Sequence, residues 1–499
     1  MLHFRFGLAL FVSLLAAQLA RPEAAAPIAG PLVASDNPHY FKDANGAALI
    51  LTGSQTWNTL QDWGSDGSPQ ALDFNAFIHF LTAHGQNFTL LWRVEMPKFC
   101  SLPATASSPP DLTVSPQPWM RTGPGKATDG GLKFDLTKFD PSYFDRLRTR
   151  TQALNNAGIY AGVYLFTGEF LNLFRCASDG YPFTGANNIN GIDDGYTGGP
   201  KGTASITMTA PNAITRFQDA LVDKVIDTLN DLPNVLWIVS EEAPNHTQWW
   251  NDHEISHTRT YEAGKRYQHP IGYAALIGSP DATVYNSDAD WVAPAARVSP
   301  TTSCGSGKPA CKVNVNDSDH SYWEMWIETP QQNRNYTWEN FLNGSQVLFM
   351  DPYVVEYPRE KRNLCVSPTN GICSGPDPRY DNLRDNLGYT LKYSRKVNLA
   401  LVTPHGSLSS TGYCLAQTPS VGAEYLVYAP SGGAFTMDLS AMPASRMLAV
   451  EWFNPTTGTT IVKDPIRSGS SRQSFTPPFS GDAVLYLVDA AGHATSSRK

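Results

Sequence analysis

Acidic residues stand at the ends of several apolar segments that have the length of β-strands. They are Glu95, Glu169, Glu241, Glu242, Asp317, Asp319 and Asp351. Two carboxylates that face one bond are the groups that glycoside hydrolysis needs, one as a proton donor and one as a nucleophile or base. If these segments are parallel strands of one barrel, their carboxyl ends meet at one mouth, where barrel enzymes carry out their chemistry.

Glu242 is our candidate for the general acid/base. In VLWIVSEE (235–242), strand alternation places Ser240 and Glu242 on one face and Trp237 and Glu241 on the other. A small serine followed by a carboxylate suits a narrow barrel interior, whereas the bulky Trp237 suits the side that faces helices. The alternative for two adjacent glutamates is an acid-rich helix N-terminus, and Glu241 is the second choice.

The nucleophile is expected at the end of KVNVNDSD (312–319). Asp317 and Asp319 share a face if the extended backbone continues, so spacing alone does not choose between them. Asp319 is farther out at the mouth, and Asp317 could instead orient a neighbour; Glu356 and Asp351 are further alternatives. A nucleophile must lie about 5–5.5 Å from the acid, and we predict that Asp319 is nearer than Asp317 to Glu242.

Other polar and aromatic residues near the strand ends are predicted to bind substrate: Gln55, Trp57, Asn58, Arg93, Glu95, His320, Trp323 and Asp351. Arg93 could keep the nucleophile ionised through charge-assisted hydrogen bonds. A structural salt bridge between Arg93 and Glu95 is the alternative. An exposed indole at Trp323 would offer an apolar face to a sugar ring, although a buried loop tryptophan is an equally good interpretation.

The elements that must position these residues alternate between strands and helices. Eight segments have strand character: 48–53, 88–95, 160–166, 235–242, 270–276, 290–295, 312–317 and 346–351. Helical patterns lie between them, for example at 72–85, 140–158 and 213–230. Strands that are apolar on both faces and separated by helices predict a (β/α)8 TIM barrel. No Gly-x-Gly-x-x-Gly turn follows the first strand, which argues against a dinucleotide-binding sheet.

The pattern changes after about residue 396. Short alternating runs, such as EYLVYAP and AVLYLVD, are separated by turn residues with no helical period between them. This is typical of a small antiparallel β-sandwich. We therefore expect a signal peptide at 1–26, a catalytic barrel at 27–395 and an accessory sandwich at 396–499.

The N-terminus and the cysteines predict an exported protein. A basic start precedes an apolar run from Leu8 to Leu19, which is too short to span a bilayer and resembles a signal peptide. We expect a secreted or periplasmic location with no membrane partner. In an oxidising compartment, two local disulfides are predicted, Cys304–Cys311 and Cys365–Cys373. Cys100 could pair with Cys176, which would leave Cys414 free.

Composition excludes some partners. The formal net charge is −8 and there is no basic run, so nucleic acid is not expected to bind. No Cys/His grouping with zinc spacing is present, so we predict neither a metal nor a cofactor. Oligomeric state is not indicated by any pattern.

Several motifs resemble a known family. GSQTWNTLQD, FDLTKFDPSYFDRL, NVLWIVSEE and WENFLNGSQVLFMDPY are similar to the apiosidase-like group of secreted barrel glycosidases, a retaining group that uses strands four and seven. The resemblance implies an acid/base at Glu242, where that group usually has Asp, and a nucleophile at Asp317 or Asp319, where it usually has Glu. EYLVYAPSGG, VEWFNPTTG and SFTPPFSGDAVLYLV resemble the collagen-binding domain of a collagenase.

These observations favour a retaining glycoside hydrolase acting on a poly- or oligosaccharide. A non-catalytic carbohydrate-binding or adhesive protein on a barrel scaffold is the alternative, but such a protein would be free to lose one of the carboxylates. A collagenase is disfavoured because the chain has no His-Glu-x-x-His or Gly-x-Ser-x-Gly motif.

Overall fold

The computed structural model describes residues 26–65, 71–100, 112–198, 203–298, 311–321, 329–353, 378–417, 423–442, 446–469 and 472–489, with a few short pieces between them. The predicted signal peptide lies almost entirely outside these ranges. Within them, no helix is both long and apolar enough to cross a membrane.

Eight parallel strands form the barrel, which confirms the predicted fold. They are β1 (Gly53–Gln55), β2 (Phe88–Leu91), β3 (Tyr160–Tyr164), β4 (Val235–Ile238), β5 (Ile271–Ala274), β6 (Trp291–Ala293), β7 (Val313–Asp317) and β8 (Gln346–Met350). From β2 to β8, neighbours in the chain are neighbours in the sheet, and β8 pairs with β1. Every strand lies in or next to its predicted segment. The first one is displaced, because Ala48–Leu49 pairs instead with Phe41–Lys42 in a small antiparallel sheet.

The seam between β1 and β2 is closed by Asn87 rather than by a regular ladder. Its backbone NH donates to Thr52 O at 3.0 Å, and its side-chain Oδ1 accepts from Thr52 N at 2.9 Å. Gly53 is required here because a Cβ atom at this position would lie 2.0 Å from the carbonyl oxygen of Phe88. The two backbones approach closely without forming a ladder, so the barrel is nearly closed.

The helices of the barrel follow the strands. Their bounds are α1 (Phe74–Ala83), α2 (Pro141–Asn156), α3 (Gly168–Leu173), α4 (Thr215–Leu229), α5 (Gln248–Glu262), α6 (Ala282–Tyr285), α7 (Ser318–Ser321), α8 (Pro330–Leu342) and α9 (Asp381–Ser394). Local sequence fixes several starts. Asp140 caps α2 ahead of a proline, and Thr329 and Gln332 form a capping box at α8.

Extra strands extend the loops that follow β1 and β2. Asp62–Ser65, Leu112–Ser115 and Lys98–Phe99 form one antiparallel sheet, and Trp119–Lys126 pairs with Leu132–Phe139 in a hairpin. These segments belong to the strand ends where the candidate carboxylates stand. They therefore build up one side of the barrel mouth.

A disulfide ties two of the mouth loops together. Cys100, after β2, bonds Cys176, after α3, with a Cα–Cα distance of 6.1 Å, as the sequence suggested. Cys414 is buried and free, also as expected. Cys311 is disulfide-bonded, but its predicted partner Cys304 lies outside the described residues, and so do Cys365 and the side chain of Cys373.

The C-terminal part is an antiparallel β-sandwich, as predicted. Its strands are β9 (Thr403–Pro404), β10 (Cys414–Gln417), β11 (Glu424–Ala429), β12 (Phe435–Asp438), β13 (Met447–Asn454), β14 (Thr459–Arg467), β15 (Arg472–Phe475) and β16 (Ala483–Asp489). The larger sheet has the order β9-β10-β11-β16-β13-β14, and β12 pairs with β15. Phe435 of the small sheet packs against Trp452 of the large one in a common core.

The barrel and the sandwich share a second apolar core. It joins Trp338 of α8 and Tyr393 of α9 to Tyr428 and Phe453 of the large sheet. A buried ion pair crosses the same boundary. Arg334 of α8 donates to both carboxylate oxygens of Asp482, at 2.7 and 2.9 Å. The larger sheet is therefore apolar on both faces, since one covers the sandwich core and the other covers two barrel helices.

Candidate active site

A series of side-chain hydrogen bonds crosses the barrel interior near the C-terminal ends of the strands. Gln55 Nε2, at the end of β1, lies 3.4 Å from each carboxylate oxygen of Asp317, at the end of β7. Because β8 separates these two strands, this contact must pass through the interior. Trp92, just after β2, donates from Nε1 to Gln55 Oε1 at 2.6 Å and so fixes the orientation of the amide.

Tyr164, at the end of β3, continues this network to β4. Its ring lies 4.5 Å from that of Trp92, and its hydroxyl donates a short hydrogen bond to Glu241. Burial and the negative charges of Glu241 and Asp317 raise the pKa of Tyr164 well above its ordinary value. The phenol therefore stays protonated and remains a donor to the carboxylate.

The chain turns sharply where the two glutamates stand. Regular strand structure stops at Ile238, and Ser240 Oγ donates to Asn251 Oδ1 of α5 at 2.9 Å. Glu242 has φ +38°, the one positive value among the described non-glycine residues. Such a backbone is costly and persists only where surrounding contacts enforce it, often at functional sites. Glu242 itself is half-buried.

This turn changes the orientation that alternation predicts for Glu241. Alternation places Glu241 on the helix-facing side with Trp237, and Trp237 does face that side, since its Nε1 donates to Glu262 of α5. Glu241 instead accepts from Tyr164. The period of two holds only while the backbone is extended, and it fails beyond Ile238.

Asp319 is buried and interacts electrostatically with several other carboxylates. Its pKa is raised well above the ordinary value, first by burial and then by the negative charges of Glu169, Glu242, Glu241 and Asp317. These acids end or follow β3, β4 and β7. Because β4 and β7 are parallel strands of one barrel, the sequence-predicted Glu242, Asp317 and Asp319, which end or follow them, lie at the same barrel mouth.

The two strand-seven aspartates have different surroundings. The extended backbone ends at Asp317, and the backbone NH of Asp319 in the α7 turn donates to Asp317 Oδ1 at 3.1 Å. Asp317 is thus engaged by Gln55 and by the α7 backbone. Asp319 is buried, and its Oδ2 has no hydrogen-bond partner among the described residues.

Arg93 pairs with Glu95 rather than with a strand-seven aspartate. Arg93 Nη2 lies 3.8 Å from Glu95 Oε1, which also accepts from Thr167 N at 3.1 Å. Arg93 also donates to the carbonyl oxygen of Leu165. Burial raises the pKa of Glu95 to about 7, and the Arg93 charge acts in the opposite direction. The contacts agree with the structural salt bridge that we considered as the alternative.

Asp351 is also occupied by a structural partner. Both of its oxygens accept from Arg384 of α9, at 2.6 and 2.8 Å, and neither side chain is exposed. This bidentate pair anchors α9 to the end of β8. Its carboxylate oxygens are therefore directed towards the helix.

Trp57 and Asn58 follow β1. Trp57 is 7% exposed and stacks on Trp63 at 6.2 Å, in an aromatic cluster that continues to Phe99 and Phe170 of the next two loops. Asn58 is buried, and its Oδ1 has no hydrogen-bond partner among the described residues. The side chain of His320 and the whole of Trp323 lie outside the described residues.

Two aromatic residues of the network, Tyr164 and Trp92, were not selected from the sequence. Both directly end or follow an apolar strand, so position at a strand end was the available signal. Glu169 was noted as a strand-end acid without a role, and its charge acts on Asp319 more than those of the other acids. A search restricted to carboxylates at strand ends overlooks the neutral donors that hold them.

Comparison with known proteins agrees with this architecture. Residues 407–487 match the family described as "Putative collagen-binding domain of a collagenase". Among solved structures, a protein described as a glycoside hydrolase is 13% identical with a TM-score of 0.59, over 94% of this chain and 99% of that one. A glycoside hydrolase family 5 protein from Bacteroides vulgatus is 15% identical with a TM-score of 0.59, over 94% and 96% of the chains. No curated protein sequence matches significantly.

At such low identity, these likenesses establish the fold alone. They show that the pairing of a (β/α)8 barrel with a C-terminal sandwich recurs along almost the full length of other proteins. The class defined by fold is therefore a TIM barrel with an accessory antiparallel domain. The chemistry must be argued from the carboxylates at the mouth.

Proposed function

We propose that this protein is a secreted or periplasmic retaining glycoside hydrolase of the apiosidase-like kind, acting on a poly- or oligosaccharide. The observation that carries the proposal is that carboxylates at the ends of three parallel strands, β3, β4 and β7, stand at the same barrel mouth, with the buried Asp319 among them. Paired carboxylates at a barrel mouth are the groups that cleave a glycosidic bond. The descriptions of the similar structures are consistent with the same chemistry.

In the first step, Glu242 donates its proton to the glycosidic oxygen while an Asp319 oxygen attacks the anomeric carbon. The bond to the leaving sugar breaks, and a covalent glycosyl-enzyme forms. In the second step, the ionised Glu242 takes a proton from water, the water oxygen attacks the same carbon, and Asp319 is released. The transition states carry positive charge on the sugar, which the neighbouring carboxylates stabilise.

The contacts support a division of roles between the two aspartates. Asp317 is held by Gln55 and caps α7, so it suits the orientation of the loop that carries Asp319. Asp319 Oδ2 accepts no hydrogen bond from any residue that the structure describes, and so it suits the attack. Tyr164 and Glu241 form a positioning pair beside them. Four of the residues predicted to bind sugar keep that proposed role: Trp57, Asn58, His320 and Trp323.

The test compares Asp319→Asn, Asp317→Asn and Glu242→Gln on a panel of aryl glycosides and polysaccharides. Asp319→Asn should abolish turnover on every substrate while sugar binding persists. Glu242→Gln should lose about 10²–10⁴ in rate on substrates with poor leaving groups. Its loss should be much smaller with activated aryl leaving groups, because these depart without a proton.

The anomeric configuration of the first-formed product, followed by NMR, tests the double displacement. Retention is expected. An inverted product would refute the covalent step, and near-normal turnover in Asp319→Asn with a dead Asp317→Asn would move the nucleophile to Asp317. Sugar binding with no hydrolysis across the panel would favour a non-catalytic carbohydrate-binding protein.

A further inference from the structure

Outside the proposed active site, helices α4 and α5 carry a ladder of paired side chains. Trp249, His253, His257 and Tyr261 follow each other at intervals of four on α5, with successive rings stacked 5.2, 6.1 and 6.3 Å apart. Carboxylates at intervals of four on α4 face them. Asp219 contacts His253 at 2.8 Å and Asp223 contacts His257 at 2.9 Å.

Glu254 lies close to the first pair of this ladder, Asp219 and His253. It is 0% exposed, and neither of its carboxylate oxygens has a hydrogen-bond partner among the described residues. The indole of Trp250 lies nearby but makes no well-formed hydrogen bond to it. A buried, unpaired carboxylate is expensive unless it is neutralised by a proton or by a cation.

The ligand atoms of Asp219, His253 and Glu254 lie within 4.8 Å of one another. From these contacts we propose that Asp219, His253 and Glu254 bind a divalent transition-metal ion, of which Zn²⁺ is the best match. Zn²⁺ binds both imidazole nitrogen and carboxylate oxygen, and a site with three protein ligands takes water in the fourth position. The two negative charges balance the charge of the ion.

The geometry needs only small side-chain movements. Atoms bound to one tetrahedral zinc at about 2.0–2.2 Å lie about 3.3 Å apart. His253 Nε2 and Asp219 Oδ1 are already 2.8 Å apart, and stacking of His253 between Trp249 and His257 restricts its ring plane. A Glu254 oxygen lies within 4.8 Å of both atoms, and among the described residues no hydrogen bond to Glu254 opposes its approach.

The ion would brace the part of α5 that supports the candidate active site. Asn251, one turn before Glu254, accepts the hydrogen bond from Ser240, next to Glu241 and Glu242. On the same helix, the ring of Trp250 packs 5.2 Å from Phe166, which follows β3. A structural role is therefore indicated, separate from the chemical step. The sequence did not suggest it because Asp219 and His253 come from different helices.

The test is zinc titration of chelator-treated full-length protein by calorimetry, with the melting temperature measured in parallel. The wild type should take up one zinc ion per chain and melt at a higher temperature when loaded. Glu254→Gln should weaken binding by more than about tenfold, since even partners of a ligand contribute that much. It should also lose the thermal shift.

Asp227→Asn, two turns along the same face of α4 from Asp219, is the matched control and should keep both responses. Metal-free Glu254→Gln should melt no lower than the metal-free wild type, because it removes a buried acid. If Glu254→Gln fails to fold, His253→Gln takes its place, because the side chain of His253 is only partly buried. The site would be overturned if the wild type took up no stoichiometric zinc. It would also be overturned if Glu254→Gln and His253→Gln both bound zinc as tightly as the wild type. None of these readouts depends on hydrolysis, so they stand apart from the proposed function.

Discussion

At the residue scale, the feature that dominates the mouth is the crowding of negative charge around Asp319. Each ionised neighbour makes ionisation of Asp319 harder, and burial adds to this. A nucleophile must be ionised to attack, so activity should fall as the pH drops through this raised pKa. The acidic limb of the pH profile of kcat/KM then reports the titration of the interacting carboxylates together and not of Asp319 alone.

Glu169→Gln tests this electrostatic coupling. Removing the negative charge that acts most strongly on Asp319 should lower the pKa of Asp319. The acidic limb of kcat/KM should therefore move to lower pH, measured over a pH series with one aryl glycoside. Asp231→Asn, which changes an exposed carboxylate paired with Arg148, should leave the profile unmoved. A limb that stays in place or moves upward in Glu169→Gln would contradict the assignment.

At the scale of elements, α9 is held to the barrel by one buried ion pair. Asp351 at the end of β8 and Arg384 of α9 are both 0% exposed at their side chains. Loss of one partner leaves a buried charge without compensation, which costs far more than loss of a surface pair. The pair therefore matters for stability.

Asp351→Asn should lower the free energy of unfolding by about 3–5 kcal/mol, measured by chemical denaturation. Arg148→Gln breaks the exposed pair with Asp231, whose side chains are 44% and 49% exposed, and should cost at most about 1 kcal/mol. If Asp351 bound substrate instead, Asp351→Asn would keep its stability and lose activity.

At the scale of the whole molecule, the barrel and the sandwich should behave as one unit. Trp338 of α8 is fully buried, lies 6.0 Å from the rings of both Tyr428 and Phe453, and donates to Asn386 of α9 at 2.8 Å. A sandwich sheet that covers barrel helices on its second face cannot separate without exposing that apolar surface. We expect a single calorimetric unfolding transition in the wild type.

Trp338→Ala should lower the free energy of unfolding by about 3–5 kcal/mol and separate the single transition into two. Trp452→Ala removes a side chain of equal size from the sandwich's own core, so it should lower the melting temperature while one transition remains. Two independent transitions in the wild type would show that the shared core does not couple the domains.

The sequence alone determined the architecture, because strand and helix patterns are local properties of the chain. Apolar runs of strand length between helical periods gave all eight barrel strands, and alternation gave the sandwich. Only the start of the barrel was misplaced, since Ala48–Leu49 had an antiparallel partner that its own residues do not reveal. Alternation along β7 applies as far as Asp317, because the strand stays extended to that residue.

Tertiary structure decided which partner each polar side chain meets. Arg93 pairs with Glu95, Asp351 pairs with Arg384, and Glu241 turns to Tyr164. In the last two pairs the partners come from different strands or helices and are 33 and 77 residues apart in the chain, so only the fold brings them together. Backbone turns beyond a strand end are likewise set by packing, so the period of two that orients a strand carries no information past its last residue.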